Sequence, residues 1–134
     1  MALVIGVRRG SRVYIGDTML TVLALRGYEY ARVEIDGKGF DISDREATEV
    51  CPNVLISCGA PSPERVKQRE SFIRHAMREQ QQRETSLQTG VLTQAEFDAL
   101  PEIALPYDLM PRLIFEAPRS LRILRGELYE SRVG

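Results

Sequence analysis

Tyr30-Ala31-Arg32-Val33-Glu34-Ile35-Asp36-Gly37-Lys38-Gly39-Phe40-Asp41-Ile42 decides how this chain folds. Tyr30, Arg32 and Glu34 alternate with Ala31, Val33 and Ile35, so a strand would carry one polar and one apolar face. Asp36-Gly37-Lys38-Gly39 is rich in residues that tolerate positive φ and predicts a turn. Phe40 and Ile42, separated by Asp41, then predict a brief return strand.

The same period extends towards the N-terminus. Leu3, Ile5 and Val7 alternate with Val4 and Gly6 before Arg8-Arg9, and Val13 and Ile15 alternate with Arg12 and Tyr14 before Gly16-Asp17. Met19 to Arg26 is a third apolar run that Gly27 closes. Beyond residue 42, Ser43 and Glu46 have capping-box spacing and predict a short helix that Pro52 stops. Val54 to Cys58, bounded by Gly59, predicts one more strand. Residues 1–60 therefore read as five to six short antiparallel strands plus a short helix, a core small enough that a second copy or the later chain should help bury it.

Composition shifts at Gly59-Ala60-Pro61-Ser62-Pro63. Ser62 suits an N-cap and Pro63 a first helical position, predicting a long polar helix over 63–85. Its apolar stripe is thin (Val66, Ile73, Ala76, Met77), and pairs such as Glu70 with Arg74 and Glu79 with Arg83 are spaced for intrahelical contact. Thr93 and Glu96 form a second capping box, which predicts a short helix over 94–100. No base lies between Arg83 and Arg112, whereas Arg112, Arg119, Arg122, Arg125 and Arg132 follow, so an acidic block precedes a basic one. The end segment holds apolar anchors, Leu113-Ile114-Phe115 and Leu121, Ile123, Leu124, Leu128. Ser120 to Tyr129 fits either a helix or a hairpin. The expected division is a mainly β module over 1–60 and a mainly α extension over 61–134, α+β overall.

The 134 residues carry 18 Lys+Arg against 19 Asp+Glu, a net charge of −1, so any nucleic-acid site must be local. No apolar run nears the ~20 residues of a membrane span, and the start lacks a signal-peptide pattern. A cytoplasmic protein without membrane attachment is expected. Two cysteines and one histidine, His75, are too few for a disulfide framework, a four-thiolate zinc site or a histidine cluster. With no paired carboxylates, nucleophile elbow or Gly-rich phosphate loop, the chain reads as a non-enzyme needing no cofactor or metal.

The order Leu3-Val4-Ile5, Arg8-Arg9, Tyr14-Ile15-Gly16-Asp17, Leu20-Thr21-Val22-Leu23, Arg26-Gly27, Ala31-Arg32-Val33, Phe40-Asp41-Ile42, Arg45-Glu46 resembles the carbon storage regulator family of bacterial post-transcriptional regulators. The resemblance covers residues 2–50, with an insertion near Ser43-Asp44. It implies a homodimer of interleaved strands whose two RNA sites each join the first strand of one protomer to the end of the fifth strand of the other. It also implies recognition of GGA in single-stranded loops of mRNA or small RNA and repression of translation. Position by position, it assigns RNA contact to Arg8 and Arg9 and to Arg45, with Val7, Ile42 and Glu46 alongside. Guanidinium groups at strand ends suit this chemistry, since they clamp phosphates and stack on splayed bases. The extension over 61–134 is then expected to modify binding or to dock a protein partner. The alternative is an assembly protein that uses the sheet as a dimerisation scaffold and has lost RNA binding.

Overall fold

In the computed structural model, which describes residues 2–101, 103, 105–126 and 128, seven strands come first: β1 (Ala2–Gly6), β2 (Arg12–Ile15), β3 (Thr18–Arg26), β4 (Tyr30–Ile35), β5 (Lys38–Ser43), β6 (Thr48–Cys51) and β7 (Val54–Gly59). Three helices follow, α1 (Pro63–Gln68), α2 (Glu70–Gln88) and α3 (Gln94–Ala99), then a 3-10 turn (Tyr107–Leu109) and two strands, β8 (Arg112–Glu116) and β9 (Ile123–Arg125). The chain forms two units, residues 62–109 and the remainder.

The strand unit is built of two antiparallel sheets, ordered β1-β8-β7-β6 and β5-β4-β3-β2-β9. The decisive stretch forms the β4–β5 hairpin, in which Ile35 pairs with Lys38 across Asp36 (φ 50°) and Gly37 (φ 79°). Two positive φ values define the type I′ turn whose twist matches that of its strands. Ala31, Val33 and Ile35 turn inward and Tyr30, Arg32 and Glu34 outward, as the alternation predicts. The core is formed by residues from both sheets, among them Ile5, Val13, Leu20, Val33, Ile42, Ile56, Leu113 and Phe115.

Three expectations change. The short helix after Ser43 is absent: Ser43 Oγ accepts from the Arg45 and Glu46 amides, both at 3.3 Å, but the chain only bends and then enters β6. A hydroxyl that accepts these amides marks a serine turn as well as a helix start, and β-branched Thr48 and Val50 favour the extended form. Pro52 belongs instead to the two-residue β6–β7 turn, where Asn53 takes φ 64°. Second, the division at residue 60 moves. β8 is an interior strand between β1 and β7, and β9 pairs with β2, so the end segment completes both sheets and does not belong to the helical extension. Ile123 to Arg125 is strand, and a Cβ on Gly126 would lie 3.0 Å from Arg12 Cβ, so glycine permits this close approach.

Third, in the helical unit the helix over 63–85 is interrupted at Arg69 (φ −115°, ψ 22°), whose amide reaches both Arg65 O and Val66 O. Ser62 makes no side-chain cap. The second capping box forms as its spacing predicts, with Glu96 N donating to Thr93 Oγ1 and Thr93 N to Glu96 Oε1, both at 3.1 Å. Arg74 pairs with Glu70 at 2.6 Å, and Arg83 with Glu79 at 3.8 Å. In the acidic block, Asp108 pairs with Arg65 of the same unit at 2.6 Å. His75 stands exposed on α2. No described helix is long and apolar enough to cross a membrane.

Candidate nucleic-acid interface

Arg8 and Arg9 lie in a tight turn between β1 and β2. The Arg8 amide donates to Ser11 Oγ at 2.9 Å, the Ser11 amide donates back to Arg8 O at 3.0 Å, and Gly10 takes φ 86°. Both flanks are pinned: Val7 N donates to Pro111 O at 2.8 Å, and Gly10 N donates to Val22 O at 2.8 Å. A turn fixed at both ends holds its backbone still, so its two guanidinium stems start from defined positions. Arg8 is exposed and Arg9 partly so.

Arg45 is exposed in the bend between β5 and β6, beside exposed Asp44 and Glu46. Ser43 Oγ shapes this bend, and Asp44 N donates to Glu29 O at 3.1 Å. The Arg8-Arg9 turn follows β1 and the Arg45 bend precedes β6, and β1 and β6 are the two edges of one sheet, with β8 and β7 between them.

Val7 and Ile42 are corrected as contact residues. Both have zero exposure and belong to the core, because their strand positions alternate inward. They anchor the turns that carry Arg8 and Arg45. The buried Cys58 thiol donates to Ile42 O at 3.5 Å, and burial, with a smaller contribution from Asp44, pushes its pKa up to about 11.

A second cluster escaped sequence reading. On the outer side of β4 and β5, Asp41 Oδ1 accepts from Tyr30 Oη at 2.6 Å and from Arg32 Nη1 at 2.8 Å. These bonds hold the Asp41 carboxyl below the ordinary carboxylate range, the Tyr30 contribution being larger, and the same bond raises the Tyr30 phenol. The Arg26 guanidinium lies over the Tyr30 ring, 5.7 Å from its centre. Gly39 makes room for Arg32: a Cβ there would meet Arg32 Nη2 at 2.6 Å. The signal was present in the hairpin, since a two-residue Asp-Gly loop fixes the register that sets Arg32 opposite Asp41.

No family model matches the chain, and no curated protein or solved structure matches it significantly.

Proposed function

We propose that this protein is an RNA-binding post-transcriptional regulator of the carbon storage type, which recognises GGA in single-stranded loops and represses translation. The observation that carries the reading is the pinned Arg8-Arg9 turn at the end of an edge strand, within a chain whose order of motifs resembles that family. Arginines on a fixed turn meet phosphates and bases with little loss of freedom on binding. Since Arg45 lies at the opposite sheet edge, a composite site requires two copies. Among the described residues β1 pairs with β8 alone, and an interleaved homodimer sets the Arg45 bend of one protomer against the Arg8-Arg9 turn of the other.

The test is salt-dependent binding of a GGA hairpin by wild type, Arg8→Ala, Arg45→Ala and an equimolar mixture of the two variants. Each single variant loses affinity, with a salt slope shallower by about 0.7 per lost phosphate contact. The mixture recovers one intact site per heterodimer and so regains binding. Absence of wild-type binding at low salt, or a mixture no better than its components, refutes the composite site.

A second reading, a scaffold whose helical unit docks a protein, is favoured by the exposed apolar residues Phe72, Val91, Leu100 and Tyr107 in that unit. It predicts a partner lost on replacement of 62–109 and no RNA binding by the intact chain.

A further inference from the structure

The helical unit is thinly packed. Of its described residues only Ile73, Ala76 and Leu109 are buried, while Phe72, Val91 and Leu100 are 44%, 74% and 37% exposed. Helix α2, about 28 Å long at 1.5 Å per residue, separates two ends of this unit. The first end, residues 63–78 with 105–109, holds five bases and three acids, and the second, residues 79–101, holds one base and four acids. At the first end Asp108 is tied to Arg65 and Glu70 to Arg74, Arg69 lies over the Phe72 ring, 5.1 Å from its centre, and Lys67 forms no ion pair among the described residues. At the second end Arg83 pairs with Glu79. The carboxylates of Glu84, Glu96 and Asp98 accept from Gln80, Thr93 and Gln94 and meet no cation among the described residues. Arg83 lies eleven residues, or three turns, beyond Phe72 and so on the same side of α2, and its guanidinium donates to Pro101 O, which brings the Leu100-Pro101 segment to that side. Phe72 and this segment are therefore spaced about 16 Å apart along one side of the helix.

We propose that the helical units of two copies pair side by side, α2 antiparallel to α2 about a two-fold axis, so that Phe72 and the Lys67 end of one copy meet Leu100 and the Asp98 end of the other. A two-fold contact needs a surface that is its own complement. Turning this unit end for end sets the basic end on the acidic one and an exposed aromatic residue on an exposed aliphatic one, and the symmetry repeats both matches. Parallel pairing would set like charge against like, which fixes the antiparallel sense. A unit with so few buried side chains also has apolar surface left to cover. A partner of one charge sign would satisfy one end and be repelled by the other, and a nucleic acid would meet the four carboxylates of the second end. The contact is small, so the pairing is weak and depends on concentration. It involves residues 62–109 alone and rests neither on the RNA-binding reading nor on the strand dimer proposed with it.

Lys38 and Lys67 are the only lysines of the chain, so zero-length cross-linking of the full protein reads this contact directly. A carbodiimide joins an amine nitrogen to a carboxyl carbon and takes up the water that is lost. The length of α2 keeps Lys67 away from Glu96 and Asp98 of its own chain, so an amide between Lys67 and either carboxylate forms only between copies. Peptide mapping of the covalent dimer should find it, in a yield that rises with protein concentration and falls with salt. Lys67→Glu should abolish this link and Asp98→Lys should lower its yield several-fold. An equimolar mixture of the two should restore the covalent dimer, because the reversed charges then face each other. Phe72→Ala should lower the yield several-fold with both charged groups in place. Positions 67, 72 and 98 are exposed, and far-UV circular dichroism checks that each variant is folded. No covalent dimer at any concentration, a dimer joined through Lys38 alone, Lys67 linked only to Glu64, Glu70 or Asp108, or a mixture no better than its components overturns the pairing. Each of these results leaves the RNA-binding reading standing, and failure of a GGA hairpin to bind leaves the pairing standing.

Discussion

Gly59 at the end of β7 and Arg112 at the start of β8 are register partners, so the chain leaves the strand unit for the helices and re-enters it at neighbouring strand ends. All core residues of the strand unit come from residues 2–61 and from 110 onward. Replacing residues 61–110 by Asn-Gly leaves Ala60, Asn, Gly and Pro111 as a four-residue hairpin loop, a length that antiparallel strands accept. Shortening the connection from about fifty residues to four lowers the closure entropy by up to ~2.3 kcal/mol, from (3/2)RT ln of the length ratio. An ordered insert already holds its ends together, so the expected gain lies between zero and ~2 kcal/mol. Equilibrium urea unfolding followed by far-UV circular dichroism measures it, and the slope with denaturant should fall because less surface is exposed. A shortened chain that aggregates, or that is ~3 kcal/mol less stable than the full chain, would show that residues 62–109 supply part of the strand unit's core. A chain stopped at Pro61 is the contrasting case. It lacks β8, the shared neighbour of β1 and β7, and should not fold.

Phe115 is fully buried in β8, and Phe115→Ala should lower unfolding free energy by about 3–5 kcal/mol in the same assay; a loss under 1 kcal/mol would contradict the interior placement of that strand. With its thiol pushed up to about 11 from an ordinary 9.0, Cys58 should be alkylated about 100-fold more slowly than an unhindered thiol at pH 8. The protonated thiol is the form the fold favours. Its contribution is therefore complete below pH 9 and lost as pH rises towards 11, so Cys58→Ala should flatten the alkaline limb of a stability profile.

Local pattern accounts for what the sequence showed and for what it hid. The β2 to β5 meander was legible because each turn carries glycine at the position that needs positive φ, Gly16, Gly27 and Gly37, between alternating runs. The β6–β7 hairpin was hidden because Pro52 reads equally as a helix stop and as the first corner of a turn with Asn53 at φ 64°. The placement of β8 was illegible for a different reason: Leu113-Ile114-Phe115 announces a buried strand, but no local signal says that it lies between residues 2–6 and 54–59. In the candidate interface, Arg8, Arg9 and Arg45 were nominated by resemblance together with Val7 and Ile42, and a position-by-position resemblance does not say which side chains face outward. Strand alternation places both inside.

The interior position of β8 also sets a timetable for synthesis. Leu3 is paired with Phe115, so β1 waits during synthesis for a neighbour that lies far along the chain. At the usual ~5–20 residues per second, that interval is on the order of 5–20 s, during which β1 and β7 have no common neighbour. Pairings of such separation form slowly, because the intervening chain must be closed before they reward it. The β2 to β5 part of the five-stranded sheet can assemble early as a meander, while its edge strand β9 and the shared central strand β8 of the other sheet both come after residue 110. A nascent chain of this protein therefore passes through a one-sheet stage whose apolar face is uncovered, a stage at which a holding chaperone would find it.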